Sequence, residues 1–247
     1  MNSSNIISVS ARHNDKQHVC SQCSLIDLCL PMGLNSEELV QLEALIQQSQ
    51  SYQESEFLFR QHDPFQAIYA VRSGMFKSYT LDAEGNERIL GFHLPGELVG
   101  LDAIYSQQYP SNVEALDTSS VCTVPYQGLM ALAEQIPSLQ QQLLRLLSKE
   151  INSVNALTYD NTADQRLLAF LWGLSTRYEQ RGYSGSHVNL SMSRRDIANH
   201  LNMAPETISR LFKRMQDRAV IQLNKRELII TNADALKALA GCKPHQQ

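Results

Sequence analysis

Apolar positions along the chain change their period twice. Near the start, Leu39, Leu42, Leu45 and Ile46 recur at helical spacing behind Asn35, which can cap a helix together with Glu38 three residues on. From Phe57 to Pro125, short β-branched and aromatic runs alternate with turn residues. Strands are predicted at 57–59, 68–72, 76–81, 88–93, 97–100, 113–115 and 121–124, with breaks at Asp63-Pro64, Ser73-Gly74, 82–85 and Pro95-Gly96. Runs this short and even predict an antiparallel barrel or sandwich. After Pro137 the helical period returns. Leu143, Leu147, Val154 and Leu157, widened by Leu144, Leu146 and Ile151, predict one long amphipathic helix over 137–158. Such a stripe between two domains can bury itself against a second copy of the chain. Thr162 with Gln165 caps a further helix near 163–181, where Leu167, Leu168, Phe170, Leu171 and Leu174 surround the single tryptophan, Trp172.

The segment 193–218 has a different pattern. Ser193 with Asp196 caps a short helix that buries Ile197, Ala198 and Leu201; Asn202-Met203-Ala204 turns; Pro205 opens a second helix, the one position where proline suits helical geometry. On that second helix Ile208, Leu211, Phe212 and Met215 share the inward face, leaving Glu206, Ser209, Arg210, Lys213 and Arg214 outward. Two short runs at 220–223 and 227–231, separated by a turn at Asn224-Lys225, predict a two-stranded wing. The whole predicts a winged helix-turn-helix. Charge supports nucleic acid as its partner. Residues 188–226 hold eight basic and three acidic side chains, so in a chain of net charge −4 the remainder carries −9. A basic stripe on an acidic protein is the footprint of phosphate contact. Arg210 can donate two hydrogen bonds to guanine, and Glu206 can accept one from cytosine.

With 247 residues and 43% hydrophobic side chains, the chain is long enough for one or two globular domains. No run of 18 residues is continuously apolar, so no membrane span is expected. Residues 1–19 are polar, lack the apolar stretch of a signal peptide, and are read as a disordered tail. A cytoplasmic location follows, where cysteines stay free, reactive or metal-bound. Three of the five cysteines, Cys20, Cys23 and Cys29, are spaced C-x2-C-x5-C. A fourth ligand has to come from elsewhere, and Cys122 is the obvious donor. Three readings stand. The thiols are simply reduced; or they bind zinc, although zinc sites usually pair two short knuckles; or four thiolates hold an iron–sulfur cluster. Cys242, in the tail 242–247, is taken as uninvolved.

The C-x2-C-x5-C segment, Ala70-Val71-Arg72-Ser73-Gly74, Phe92-His93-Leu94-Pro95-Gly96-Glu97-Leu98-Val99-Gly100 and Glu206-Thr207-Ile208-Ser209-Arg210 together resemble the anaerobic fumarate and nitrate reduction regulators of the cyclic-AMP-receptor superfamily. The resemblance runs from about Cys20 to Gly241. It implies an α+β protein: a cluster-binding segment at 20–31; a sensory antiparallel β-barrel at 32–136, a jelly roll like that of cyclic-nucleotide-binding domains; a dimerisation helix at 137–158; and a winged helix-turn-helix at 159–241. It implies that Cys20, Cys23, Cys29 and Cys122 hold an oxygen-labile [4Fe–4S] cluster. With the cluster intact, a homodimer built on Leu143, Leu144, Leu147, Ile151 and Val154 would bind a palindrome like TTGAT-N4-ATCAA; oxygen would convert the cluster to [2Fe–2S] and release DNA. Glu206, Ser209 and Arg210 would read bases, while Arg194, Arg195, Thr207, Lys213 and Arg214 would hold the DNA backbone. The loop 82–87 and the surface near Ser73 and Thr118 would meet RNA polymerase. Val154 adds apolar surface where relatives often carry an acid.

Two other functions fit the sequence less well. A cyclic-nucleotide receptor needs an arginine for the cyclic phosphate just after the Gly96-Glu97-Leu98 turn, but none occurs between Arg88 and Arg145, so no cyclic nucleotide is expected. An iron–sulfur enzyme or electron carrier has no use for a recognition helix and wing, and no catalytic residues are expected.

Overall fold

The computed structural model describes residues 20–156 and 162–240. In chain order its regular elements are α1 (Ser36–Leu45), β1 (Gln47–Tyr52), β2 (Phe57–Phe59), β3 (Ala67–Ser73), β4 (Phe76–Leu81), β5 (Glu87–His93), β6 (Leu98–Val99), α2 (Ala103–Ser106), β7 (Asn112–Ala115), β8 (Ser119–Pro125), α3 (Tyr126–Gln135) and α4 (Pro137–Ala156). They continue with α5 (Ala163–Glu179), β9 (His187–Asn189), α6 (Arg194–His200), α7 (Pro205–Asp217), β10 (Ile221–Asn224), β11 (Glu227–Ile230) and α8 (Ala233–Leu239). The expected 1–19 and 242–247 tails, with Cys242, lie outside the described residues.

Eight strands form two antiparallel four-stranded sheets, ordered β1-β8-β3-β6 and β2-β7-β4-β5. Alternating residues from both sheets, including Ile68, Val71, Phe76, Val113, Val121 and Val124, are buried in one core. The expected barrel is therefore two sheets sharing a jelly-roll core. Helices α3 and the first half of α4 close it with Leu129, Ile136, Leu139 and Leu143. Leu143, expected on the dimer seam, is 8% exposed and packs within its own protomer.

The second unit packs α5, α6, α7 and α8 around Leu167, Leu171, Ile197, Ile208 and Phe212. Its wing differs from expectation. β9 pairs with β11 (Val188 opposite Leu228), making a three-stranded sheet β10-β11-β9. The two units do not merely abut. Met75, Tyr79, Ile89, Phe92, Leu94 and Leu116 of the β unit belong to the same buried cluster as the helix-turn-helix core. Asn199 of α6 reinforces the contact, donating to the Glu87 carbonyl (2.6 Å) and accepting from Ile89 N–H (2.8 Å).

Candidate functional site

The cysteine segment is built from two 3-10 turns, Cys20–Gln22 and Ile26–Leu28. Cys23 N–H donates to the Cys20 carbonyl (2.9 Å) and Ile26 N–H to the Cys23 carbonyl (3.2 Å), curling the chain back on itself. Ser21 N–H donates to Glu43 Oε1 of α1 (2.9 Å), and buried Leu25 and Leu30 hold the loop on the β unit. Cys122 reaches the same place from β8, opposite Ala70 of β3. All four cysteines line one pocket, whose walls are otherwise mostly apolar: Leu25, Ile26, Leu30, Ile46, Val71 and Val124, with Arg72 and Gly96 at the strand side.

That setting opposes free thiolates. Burial pushes the Cys20 thiol up to about 12, helped by the charges of Cys122 and Glu43; burial pushes Cys29 to about 12 as well, and raises Cys122. Arg72 works the other way on Cys20 and Cys122. The cysteines thus surround one space and disfavour each other's negative charge, the electrostatic condition that a bound metal centre relieves. Among the described residues, no three His, Cys, Asp or Glu side chains converge closely enough to grip a single ion. One further contact leaves the pocket: Gln142 of α4, 1% exposed, donates through Nε2 to the Cys29 carbonyl (3.2 Å).

On the outer face of α4, Leu144 and Ile151 are 61% and 62% exposed, two turns apart, with half-buried Leu147 between them. Val154 falls on α4, but its side chain lies outside the described residues.

The helix-turn-helix follows its predicted local chemistry. Ser193 and Asp196 form a complete capping box on α6, and Pro205 starts α7. Arg194, Arg195, Glu206, Arg210, Lys213 and Arg214 are exposed; Thr207 and Ser209 are partly so. Ser209 Oγ donates to the Pro205 carbonyl (3.0 Å), and Arg214 pairs with Asp164 of α5. Between β10 and β11, Lys225 and Arg226 form the wing tip, with Lys225 at φ 54°. Elsewhere, Ser73 and Thr118 are exposed at one end of the β unit, and residues 82–87 form an exposed loop that Asp82 organises by accepting from Glu84 and Asn86 N–H. Sequence reasoning missed Arg72 and Gln142, because neither carries a periodic or capping signal.

Two family profiles match: the cyclic nucleotide-binding domain over residues 49–136 and the Crp-like helix-turn-helix domain over residues 165–239. The transcriptional activator protein anr of Pseudomonas aeruginosa is 43% identical over 90% of this chain and 92% of that protein. The fumarate and nitrate reduction regulatory protein of Escherichia coli K12 is 43% identical over 90% of each chain. Among solved structures, FixK2 of Bradyrhizobium japonicum superposes with a TM-score of 0.73 at 26% identity, covering 79% of this chain and 98% of its own. A transcriptional regulator of the CRP family from Thermus thermophilus shares the fold at a TM-score of 0.62 and 18% identity, over 78% of this chain and 97% of its own.

Proposed function

The chain belongs to the fumarate and nitrate reduction regulators of the CRP/FNR family, and from that premise we propose that its four-cysteine pocket is the oxygen sensor that governs its binding to DNA. The protein is an oxygen-responsive, DNA-binding transcription regulator and not an enzyme. No helix among the described residues is long and apolar enough to cross a membrane, and we place the protein in the cytoplasm. The observation that carries the sensor reading is the convergence of Cys20, Cys23, Cys29 and Cys122 on one largely apolar pocket.

Four thiolates spaced around a pocket suit a [4Fe–4S] cluster, which takes one thiolate at each iron and, when bound, supplies the oxygen lability. The chain's own residues do the rest. The Leu25 and Leu30 anchors limit water at the thiols, and Gln142 ties the backbone of ligand Cys29 to α4. A shift of Cys29 therefore moves the helix whose opposite face carries Leu144 and Ile151. Those residues, with Leu147 and Val154, form the homodimer seam, while Leu143 packs in the protomer core on the other side of the helix. Two recognition helices then meet a palindrome like TTGAT-N4-ATCAA. Glu206, Ser209 and Arg210 read bases, and Arg194, Arg195, Thr207, Lys213 and Arg214 hold phosphates. The loop 82–87 and the Ser73–Thr118 surface are left free for RNA polymerase.

A cyclic nucleotide is not the effector in this reading. Tyr109, 2% exposed, fills the core after the Gly96-Glu97-Leu98 turn, stacks on Phe59 (3.7 Å between centroids) and donates its hydroxyl to the Ala67 carbonyl (2.8 Å). That leaves aromatic packing where a phosphate would need a cation.

The test is anaerobic purification with iron and sulfide determination, followed by air. Expected are about four of each per chain, as a cluster held by four thiolates requires, and operator binding that disappears with oxygen. Serine at Cys20, Cys23, Cys29 or Cys122 removes both; serine at Cys242 removes neither. Protein that binds the operator with zinc or no metal in the pocket overturns the reading.

A further inference from the structure

One turn touches both the cysteine loop and the DNA-binding unit. Gly96 lines the cysteine pocket, and its backbone meets the loop with no side chain between: a Cβ there would lie 3.1 Å from Leu28 Cβ and 3.8 Å from Leu25 Cβ. The turn is pinned to β3, where Gly96 N–H donates to the Val71 carbonyl (2.7 Å) and Val71 N–H to the Glu97 carbonyl (2.9 Å). Ala70, next along β3, stands opposite Cys122. Movement at either group of thiols therefore reaches this turn through hard contacts.

On its other side the turn is clamped to the end of α5 by Arg177, and to Arg181 in the turn that follows the helix. Glu97 Oε1 accepts from Arg177 Nε (2.9 Å) and Arg181 Nη2 (2.7 Å); Oε2 accepts from Arg177 Nη2 (2.5 Å) and from Leu94 N–H (3.0 Å). The same arginines hold the turn's backbone: Arg181 Nε donates to the Pro95 carbonyl (2.5 Å) and Arg177 Nη2 to the Phe92 carbonyl (2.6 Å). Arg181 also donates to the Arg177 carbonyl, which locks the two arginines to one another. The Arg181 side chain is 2% exposed. A carboxylate saturated by two guanidiniums and one N–H is stiff, and loss of Glu97 would leave the buried Arg181 charge without its partner. From α5 the path runs through Leu167 and Leu171 into the core that carries Ile208 and Phe212 of the recognition helix.

We propose that the Pro95-Gly96-Glu97 turn, clamped by Arg177 and Arg181, carries the state of the cysteine loop to the DNA-binding unit, with Glu97 as its positioning residue. This rests on the sensor reading above and adds a route within one protomer, separate from the seam on α4. A clamp that merely glued the two units together would affect stability alone. A coupling element affects the ratio of operator affinities between cluster-loaded and cluster-free protein, and it acts in both directions.

The experiment uses full-length Glu97→Gln and Arg177→Ala proteins. The first reading is iron content with operator affinity, loaded and cluster-free. Iron is expected to stay, while the affinity ratio falls by about tenfold or more, within the usual range of coupling between sites. The second reading is hydrogen exchange of residues 20–31 in cluster-free protein. A substitution on α5, far along the chain, is expected to speed exchange in the cysteine loop. An unchanged ratio with iron in place, or exchange that changes only around 177–181, overturns the proposal. Should Glu97→Gln not fold, Arg177→Ala gives both readings alone, since its side chain is 29% exposed and its loss leaves Arg181 on Glu97. Wild-type protein without iron would refute the sensor reading and leave the exchange test of the clamp intact.

Discussion

Replacing Ile151 by alanine tests the division of labour on α4. Ile151 is 62% exposed in the protomer, so its apolar surface is available to a partner. Full burial of such a side chain is worth about 1.5–3 kcal/mol, so the exposed part contributes roughly 1–2 kcal/mol. Twofold symmetry counts it twice, about 2–4 kcal/mol, and because alanine keeps its own β-carbon the truncation removes about 2–3 kcal/mol of this from the dimer. At 1.4 kcal/mol per factor of ten, the dissociation constant rises roughly 30- to 150-fold. Anaerobic sedimentation over a dilution series measures it. Leu143→Ala is the control, because Leu143 is 8% exposed and packs beside Leu139 and Ile136. It should cost the protomer about 2–5 kcal/mol of stability and leave the dimer constant nearly unchanged. An Ile151→Ala protein that dimerises as tightly as wild type refutes the seam. So does a Leu143→Ala protein whose dimer loosens as much as that of Ile151→Ala.

Arg210→Ala should cost about 1–3 kcal/mol on the cognate half-site and relax discrimination at the guanine it reads. Glu206→Ala should keep or raise non-specific affinity while cognate preference falls; anisotropy titrations on single-base operator variants would show uniform weakening if Glu206 is only structural. Lys213→Ala should flatten the salt dependence by about one unit, and Arg214→Ala by less, because Arg214 already pairs with Asp164 and has less counterion to exchange. Acid should unfold the chain in two stages. Burial holds His93 neutral down to about 4 against 6.5 unfolded, so its contribution is present above 6.5 and is lost as pH falls from 6.5 towards 4. Arg177 and Arg181 outweigh burial at Glu97 and hold its carboxyl at about 2 against 4.5, so that contribution fades below 4.5; denaturant melts that are flat between pH 6.5 and 4 would contradict the first stage. Gln142→Leu leaves the Cys29 carbonyl without this donor, at a cost of about 1–3 kcal/mol, and should shorten the time that iron survives in air; an unchanged lifetime would release Gln142 from the sensor.

What could be read from the sequence was what neighbouring residues decide. The capping boxes at Asn35/Glu38, Thr162/Gln165 and Ser193/Asp196 are contacts between residues three apart, and each forms both of its hydrogen bonds. Strand β4 was bounded correctly because its turns, Ser73-Gly74 and the Asp82 loop, are local as well. β1 was missed because Gln47–Tyr52 has no apolar alternation; it is a strand only by pairing with β8 at the sheet edge. α3 was missed because Pro125 gives it no side-chain cap, and β9 because three residues are too few for a period. For Cys122, its residue type suggested a role, but its position comes from the β3–β8 register. Contacts such as Gln142 to Cys29 and Arg177 to Glu97 join residues 113 and 80 positions apart, and nothing in either segment announces the other.

Helix α4 is shared between two tasks whose residues do not overlap. Leu139, Gln142 and Leu143 serve the fold and the cysteine loop, while Leu144 and Ile151 face outward. If the proposed seam holds, a substitution on the outward side would shift the protein concentration at which two copies meet without weakening the protomer. On that seam, selection would retune how many copies are assembled at a given oxygen level by changing one or two surface side chains. The sensor pocket and the recognition helix are left as they are, and related regulators can drift apart in setting while keeping the same parts.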